Sequence, residues 1–133
     1  MTNILQWNIR GLQANRELNM LLSNFNPILV SLQETFLKPN KIATFKNYSV
    51  YNLSSEESNG IIHGGIAILV NNAVPHSQIQ LNTSLQAIAV RATCHKTISV
   101  CSFYLSPSSK FNINDFDYLI TQLPPPHSTA WRL

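Results

Sequence analysis

The run Ile28-Leu29-Val30-Ser31-Leu32 constrains this chain more than any other stretch. Its residues are mostly large and apolar, with no Gly or Pro, so it reads as a short strand buried on both faces. The continuation, Gln33-Glu34-Thr35-Phe36, puts a carboxylate at the mouth of that strand in a chain with only six acidic residues. A carboxylate in that position is costly to desolvate unless a cation or a hydrogen-bond donor meets it. Glu34 is therefore read as a metal ligand around which the rest of the chain places its groups. The alternative, a carboxylate pointing into solvent from a strand end, stays open on spacing alone.

The elements around that strand follow from periodicity. Ile4-Leu5-Gln6-Trp7-Asn8 reads as a first strand, closed by the breaker Arg10-Gly11. Leu18, Leu21, Leu22 and Phe25 fall at i, i+3, i+4 and i+7, one apolar stripe on a helix from about Asn15 to Asn24. Asn26-Pro27 stops it. Strand, helix, strand with short connections is a βαβ unit with parallel strands, so Asn8 and Glu34 are expected at the same sheet edge.

Beyond Phe36 the stretch Leu37 to Lys46 is irregular, Tyr48 to Leu53 has strand composition, and Ser54 to Asn59 reads as a polar loop. His63-Gly64-Gly65 leads into the apolar strand Ile66 to Val70. Ser77 to Leu81, Leu85 to Thr93 and Thr97 to Tyr104 read as further strands without intervening helices, which should pair antiparallel. A loop follows at Ser106-Pro107-Ser108-Ser109. A second helix is expected with Asn114 as cap, Asp115 and Asp117 in its first turn, and Phe116, Leu119, Ile120 and Leu123 as its stripe. Pro124-Pro125-Pro126 cannot continue it.

At 133 residues the chain is one domain at most. Charged residues make up 11%, against roughly 25% in ordinary soluble domains, so disorder is excluded and much of the chain must be buried. The net charge of +3 permits a polyanionic partner without demanding one. Cys94 and Cys101 lack C-x-x-C spacing and read as two reduced thiols of an intracellular protein. No apolar run approaches the roughly 18 residues of a membrane span, and Met1-Thr2-Asn3-Ile4 has no basic region of a signal peptide.

Other candidates carry competing structural readings. Asn8 could orient a phosphate or close a turn. Tyr104 could donate to a phosphate oxygen or simply pack. His63, beside Gly64-Gly65, could be a ligand or base or an exposed loop residue. Asp115 and Asp117, at i, i+2 on a helix, do not face each other and read as helix-capping acids. The strands flanked by two amphipathic helices give an α/β sandwich. Helices cover only one face of a sheet, however, and several strands read as buried on both; the chain is read as too short to cover the second.

Taken together, Q-W-N-I-R-G-L, S-L-Q-E-T-F, H-G-G-I-A-I-L-V, S-F-Y-L-S-P and a helix ending Q-L-P occur in an order that resembles the endonuclease/exonuclease/phosphatase superfamily. The H-G-G-I-A-I-L-V variant looks most like the apurinic-type endonuclease of jockey-like non-LTR retrotransposons, which precedes their reverse transcriptase, an RNA-directed DNA polymerase. The resemblance covers residues 3 to about 124. It implies a four-layer α/β sandwich, two packed mixed sheets with outer helices, of which this chain is the N-terminal part. It further implies phosphodiester hydrolysis with Mg²⁺ or Mn²⁺, DNA as substrate, no membrane, and an intracellular, nuclear place of action for the parent element. By the same resemblance Asn8 falls at the site asparagine, Glu34 at the metal-binding glutamate and Tyr104 at the phosphate-contacting tyrosine.

The sequence departs from the family after Q-L-P. There the family continues into a strand ending G-D-F-N, and later supplies S-D-H with the general base. This chain has P-P-P-H-S-T-A-W-R-L instead, with His127 and His95 in the wrong context to substitute. Residues 127–133 are expected as a tail outside the family pattern, and the chain as weak in metal binding and inactive without a complementary C-terminal half. The alternatives are a non-catalytic remnant, a nucleic-acid- or protein-binding fragment, or a phosphatase or deadenylase branch. The counting of faces predicts apolar surface left uncovered, including the edge that would pair with the G-D-F-N strand, and hence a molten or aggregation-prone chain.

Overall fold

In the computed structural model, two four-stranded sheets lie face to face between two outer helices. The structure describes residues 4–12, 16–39, 43–54, 56–58, 61–105 and 112–132, with backbone alone at 56–58, 61–63 and 128–132. Asn15 and the Ser106–Ser109 loop lie outside the described residues. The chain runs β1 (Ile4–Asn8), α1 (Arg16–Phe25), β2 (Leu29–Gln33), β3 (Tyr48–Leu53), β4 (Glu56–Ser58), β5 (Ile61–His63), β6 (Ile66–Asn71), β7 (His76–Ile79), β8 (Gln86–Cys94), β9 (Lys96–Tyr104), α2 (Ile113–Thr121) and β10 (His127–Arg132). The first sheet has the order β1-β2-β6-β3 and the second β10-β9-β8-β7.

The βαβ unit forms as its sequence predicts. β1 and β2 are parallel, with Asn8 opposite Gln33. On α1, Leu18 and Leu22 are buried one turn apart against Val30, Leu32 and Leu69 on the outer face of the first sheet. Phe25, expected on the same stripe, is 63% exposed, because the helix ends there and the chain turns away. The Asn26 N–H closes the last turn on the Leu22 carbonyl at 3.0 Å, with Asn26 at φ 43°. On the other side of the molecule, Leu119 of α2 and Leu123 just beyond its end pack on Phe103 and Leu105. The cap of α2 is Asn112 rather than Asn114: its side chain accepts from the Asn114 N–H at 2.9 Å.

The expectation of an uncovered second face is corrected by the sheet topology. Side chains alternate along β2, so Val30 and Leu32 face α1 while Leu29 joins Ile66, Ile68 and Val70 on the inner face. There they meet Ile88, Val90 and Val100 of the second sheet. Each sheet is the other's cover. Full burial of one such side chain stabilises by about 1.5–3 kcal/mol, and this inner layer and the two helix-backed layers bury both faces of β2 and β6. On edge strand β1 the inner-face Ile4 stays 43% exposed, so the expected bare face is overturned for the central strands and remains only at this edge.

Two local expectations also change. The stretch expected as a polar loop includes β4, which pairs antiparallel with β5. Residues 127–132, expected as a tail, form β10, which runs parallel to β9 along the edge that had been expected to stay open. Arg91 and Ser99 fix its entry. The Arg91 guanidinium donates to the Pro124 carbonyl at 2.8 Å, Ser99 Oγ donates to the same oxygen at 2.7 Å, and the Ser99 N–H donates to the Pro126 carbonyl at 2.9 Å.

Candidate functional site

The connections that leave β1, β2 and β5 continue side by side past the ends of their strands. Ile9 N–H donates to the Gln33 carbonyl at 3.0 Å, Gly11 N–H to Glu34 at 2.9 Å and Leu12 N–H to Thr35 at 3.0 Å. Thr35 and Phe36 donate in turn to the Gly65 and Gly64 carbonyls at 3.1 and 3.2 Å. This lacing brings Asn8 and Glu34 to one edge, as parallel strands require. It holds Arg10, Glu34 and Phe36 at positive φ of 50°, 54° and 56°, a left-handed conformation costing each non-glycine residue roughly 1–2 kcal/mol. Strain concentrated this way is a pointer to function.

Asn8 supplies a second pointer. Both its Oδ1 and Nδ2 are buried, and neither has a hydrogen-bond partner among the described residues. A buried polar atom left unpaired costs about 1–3 kcal/mol, so this amide suits a partner that is not part of the described chain, such as a phosphate or a hydrated cation. Asn8 sits beside Gln33 in register, one residue from Glu34.

Tyr104 comes to the same corner from the second sheet, as the last residue of β9. It is buried, and burial pushes its phenol pKa up, with the negative charge of Glu34 adding to the rise. A phenol is a proton donor at neutral pH in any case, and both causes act in the direction that keeps it so. Gly64 makes room for it. At φ 76°, a Cβ there would lie 2.7 Å from Gln86 Oε1 and 3.2 Å from Tyr104 Cδ2. Gln86, opposite Tyr104 in register, accepts the Gly65 N–H at 3.1 Å. Gly64 thus serves close approach, a role the sequence alone does not signal.

Behind this corner the inner layer is polar. Gln33 is fully buried, and its Nε2 donates to Ser31 Oγ at 2.9 Å on its own strand and to Ser102 Oγ at 2.8 Å on the other sheet. Gln6 Nε2 reaches Gln33 Oε1 at 3.4 Å. Nothing in the sequence assigned Gln33 or Ser102 a role. The apolar cavity of about 290 Å³ lined by Ile4, Ile28, Leu29, Cys94 and Ile98 lies at the opposite end of the sandwich.

Asp115 and Asp117 sit on α2, outside this corner. His95 turns the β8–β9 hairpin at the far end of the sheet, and His127 is exposed at the start of β10. The His63 side chain lies outside the described residues. No three His, Cys, Asp or Glu side chains converge among the described residues. One carboxylate with an amide oxygen nevertheless fits Mg²⁺, which uses one or two carboxylates and fills its remaining positions with water and substrate phosphate. The orphaned Asn8 amide is what supports that fit.

No family model matches the chain. Over 121 residues it is 26% identical to the RNA-directed DNA polymerase from mobile element jockey of Drosophila melanogaster, covering 88% of this chain and 13% of that protein. Among solved structures, the endonuclease domain of TRAS1, a telomere-specific non-LTR retrotransposon, superposes with a TM-score of 0.59 at 19% identity, over 92% of this chain and 52% of that one. The 3′ phosphatase NExo from Neisseria, bound to product DNA hairpin, gives 0.59 at 17% identity over 92% and 48%. An AP endonuclease from Archaeoglobus fulgidus gives 0.52 at 17% identity over 91% and 48%. The chain therefore spans about half the length of these structures. Its two packed sheets with outer helices are the fold of these solved structures, which include AP endonucleases and a retrotransposon endonuclease domain.

Proposed function

We propose that this chain forms the N-terminal part of a metal-dependent DNA endonuclease site of a non-LTR retrotransposon polyprotein, acting in the nucleus and inactive without the complementary half of the domain. The observation that carries the reading is the Asn8 amide, buried and unpartnered one residue from the strained Glu34. Glu34 would hold Mg²⁺ or Mn²⁺, which would offset charge on a DNA phosphate. Asn8 offers Nδ2 as donor to a phosphate oxygen and Oδ1 as acceptor. Tyr104, a phenol protonated at neutral pH, donates a further hydrogen bond to the phosphate. The similarity to a phosphatase bound to product DNA supports DNA phosphate as the ligand class.

General-base help contributes roughly 10²- to 10⁴-fold, and the sequence has neither G-D-F-N nor S-D-H to supply it. The missing groups would come from further polypeptide, continuous with this chain or separate. Two strand edges that are unpaired among the described residues are placed to receive it. β1 and β10 end their sheets on the same flank, since β2 packs across from β9 and β10 while β3 and β7 meet through Tyr51 and His76. β1 carries no charge, Pro or bulge, the usual devices that protect an edge from pairing.

The test is nicking of supercoiled DNA in Mg²⁺. The pure chain should not nick. Adding the C-terminal half of a jockey-type endonuclease domain should produce nicking that Glu34→Gln abolishes. Reproducible nicking by the chain alone, or reconstituted nicking that survives Glu34→Gln, would overturn the assignment. A non-catalytic nucleic-acid-binding role is the second reading, favoured by the lack of any converging acidic or histidine cluster among the described residues. DNA binding without reconstituted nicking would support it.

A further inference from the structure

We infer that Gln33 is the positioning residue of this site: its buried carboxamide ties β2 to β9 and so sets where Glu34 stands relative to Tyr104. The inference rests on the reading of Glu34 and Tyr104 as members of one site.

Strand parity places Gln6, Asn8, Ser31 and Gln33 on the inner face of the first sheet, and Ser102 and Tyr104 on the inner face of the second. Most of the rest of that interface is apolar and packs without direction. Hydrogen bonds have direction: Tyr51 Oη meets His76 Nδ1 at 2.6 Å on the far flank, between β3 and β7, and the Gln33 group lies at the site end, between β2 and β9. Gln33 uses both amide hydrogens, one on Ser31 and one on Ser102, and its Oε1 takes the Gln6 amide. All of its capacity to donate is committed, so the carboxamide cannot rotate without leaving a buried hydroxyl or itself unpaired. Its own backbone precedes Glu34, and Ser102 stands two residues before Tyr104. A slide of one sheet over the other is therefore resisted at the point where it would separate the carboxylate from the phenol.

The test uses the full chain labelled with 3-fluorotyrosine, reading the fluorine NMR signal of Tyr104, identified by its loss in Tyr104→Phe. In the parent chain, Glu34→Gln should displace that signal. In Gln33→Leu the Glu34→Gln displacement should collapse and the Tyr104 line should broaden or split. A triple variant, Ser31→Ala with Gln33→Leu and Ser102→Ala, replaces the buried members of the polar group by apolar side chains, leaves no unpaired hydroxyl and leaves only the exposed Gln6 to water. It should melt at least as cooperatively as the parent and still lose the displacement. A triple variant that keeps the parent displacement would overturn the inference, leaving Gln33 a structural residue only. So would a parent chain in which Glu34→Gln leaves the Tyr104 signal unmoved. Adding Mn²⁺ separates the two readings. If Tyr104 is not broadened by Mn²⁺ while the displacement pattern holds, the metal role of Glu34 fails and the positioning role of Gln33 stands.

Discussion

Glu34 and Tyr104 belong to different sheets, yet the carboxylate of one raises the pKa of the other's phenol. Burial is the larger cause of that rise and the Glu34 charge the smaller. Glu34 directly follows β2 and Tyr104 ends β9, strands that pack across the sandwich, and the laced connections after β1 and β2 fix the edge at which they meet.

The coupling predicts how stability responds to alkali. The folded phenol pKa values of Tyr104, Tyr48 and Tyr51 lie above the ordinary 10.0, and the Cys101 thiol is pushed up from 9.0 to about 12 by burial. In each case the unfolded chain loses its proton first. Their contribution is therefore intact below pH 9 and is lost as pH rises through the folded values. For Cys101 the gap corresponds to a loss on the order of 4 kcal/mol across pH 9–12. Urea midpoints at stepped pH should fall from about pH 9 upward, and Cys101→Ala should flatten the first part of that fall. A midpoint independent of pH up to 12 would contradict the burial of these groups.

Gly64 should tolerate no side chain. Gly64→Ala adds a Cβ at 2.7 Å from the Gln86 amide and 3.2 Å from the Tyr104 ring, on backbone at φ 76°. The expected cost is about 1–3 kcal/mol, read as a lower urea midpoint with unchanged slope. The Tyr104 environment should shift with it. Gly11→Ala is the control, since its added Cβ would meet only Phe36 at 3.8 Å. Its φ of 112° still carries backbone strain, so it should destabilise while leaving Tyr104 in place.

Much of this was legible in the chain itself. The parallel βαβ unit follows from one apolar run, one helical stripe and a Pro stop, and it places Asn8 and Glu34 at one edge without any tertiary information. Closure of the sandwich was not legible. Apolar residues on both faces of Ile66–Val70 show that two covers exist, but not that β8 and β9 fold back as one of them. β10 escaped because His127-Ser128-Thr129 after three prolines looks polar and broken, and its entry alongside β9 is held by Arg91 and Ser99, far away in sequence. Gln33 and Ser102 escaped for the same reason: each looks like a lone polar residue in an apolar strand until the sheets are stacked.

The measurement that bears most directly on the account is a Mn²⁺ titration of the chain, followed through the NMR signal of the Asn8 side-chain amide. With Glu34 as the one carboxylate ligand and waters completing the shell, binding should be weak. The Asn8 signal should broaden selectively, and Glu34→Gln should abolish the effect. Tight binding that is indifferent to Glu34→Gln, or broadening that spares Asn8, would contradict the assignment of this corner as the site.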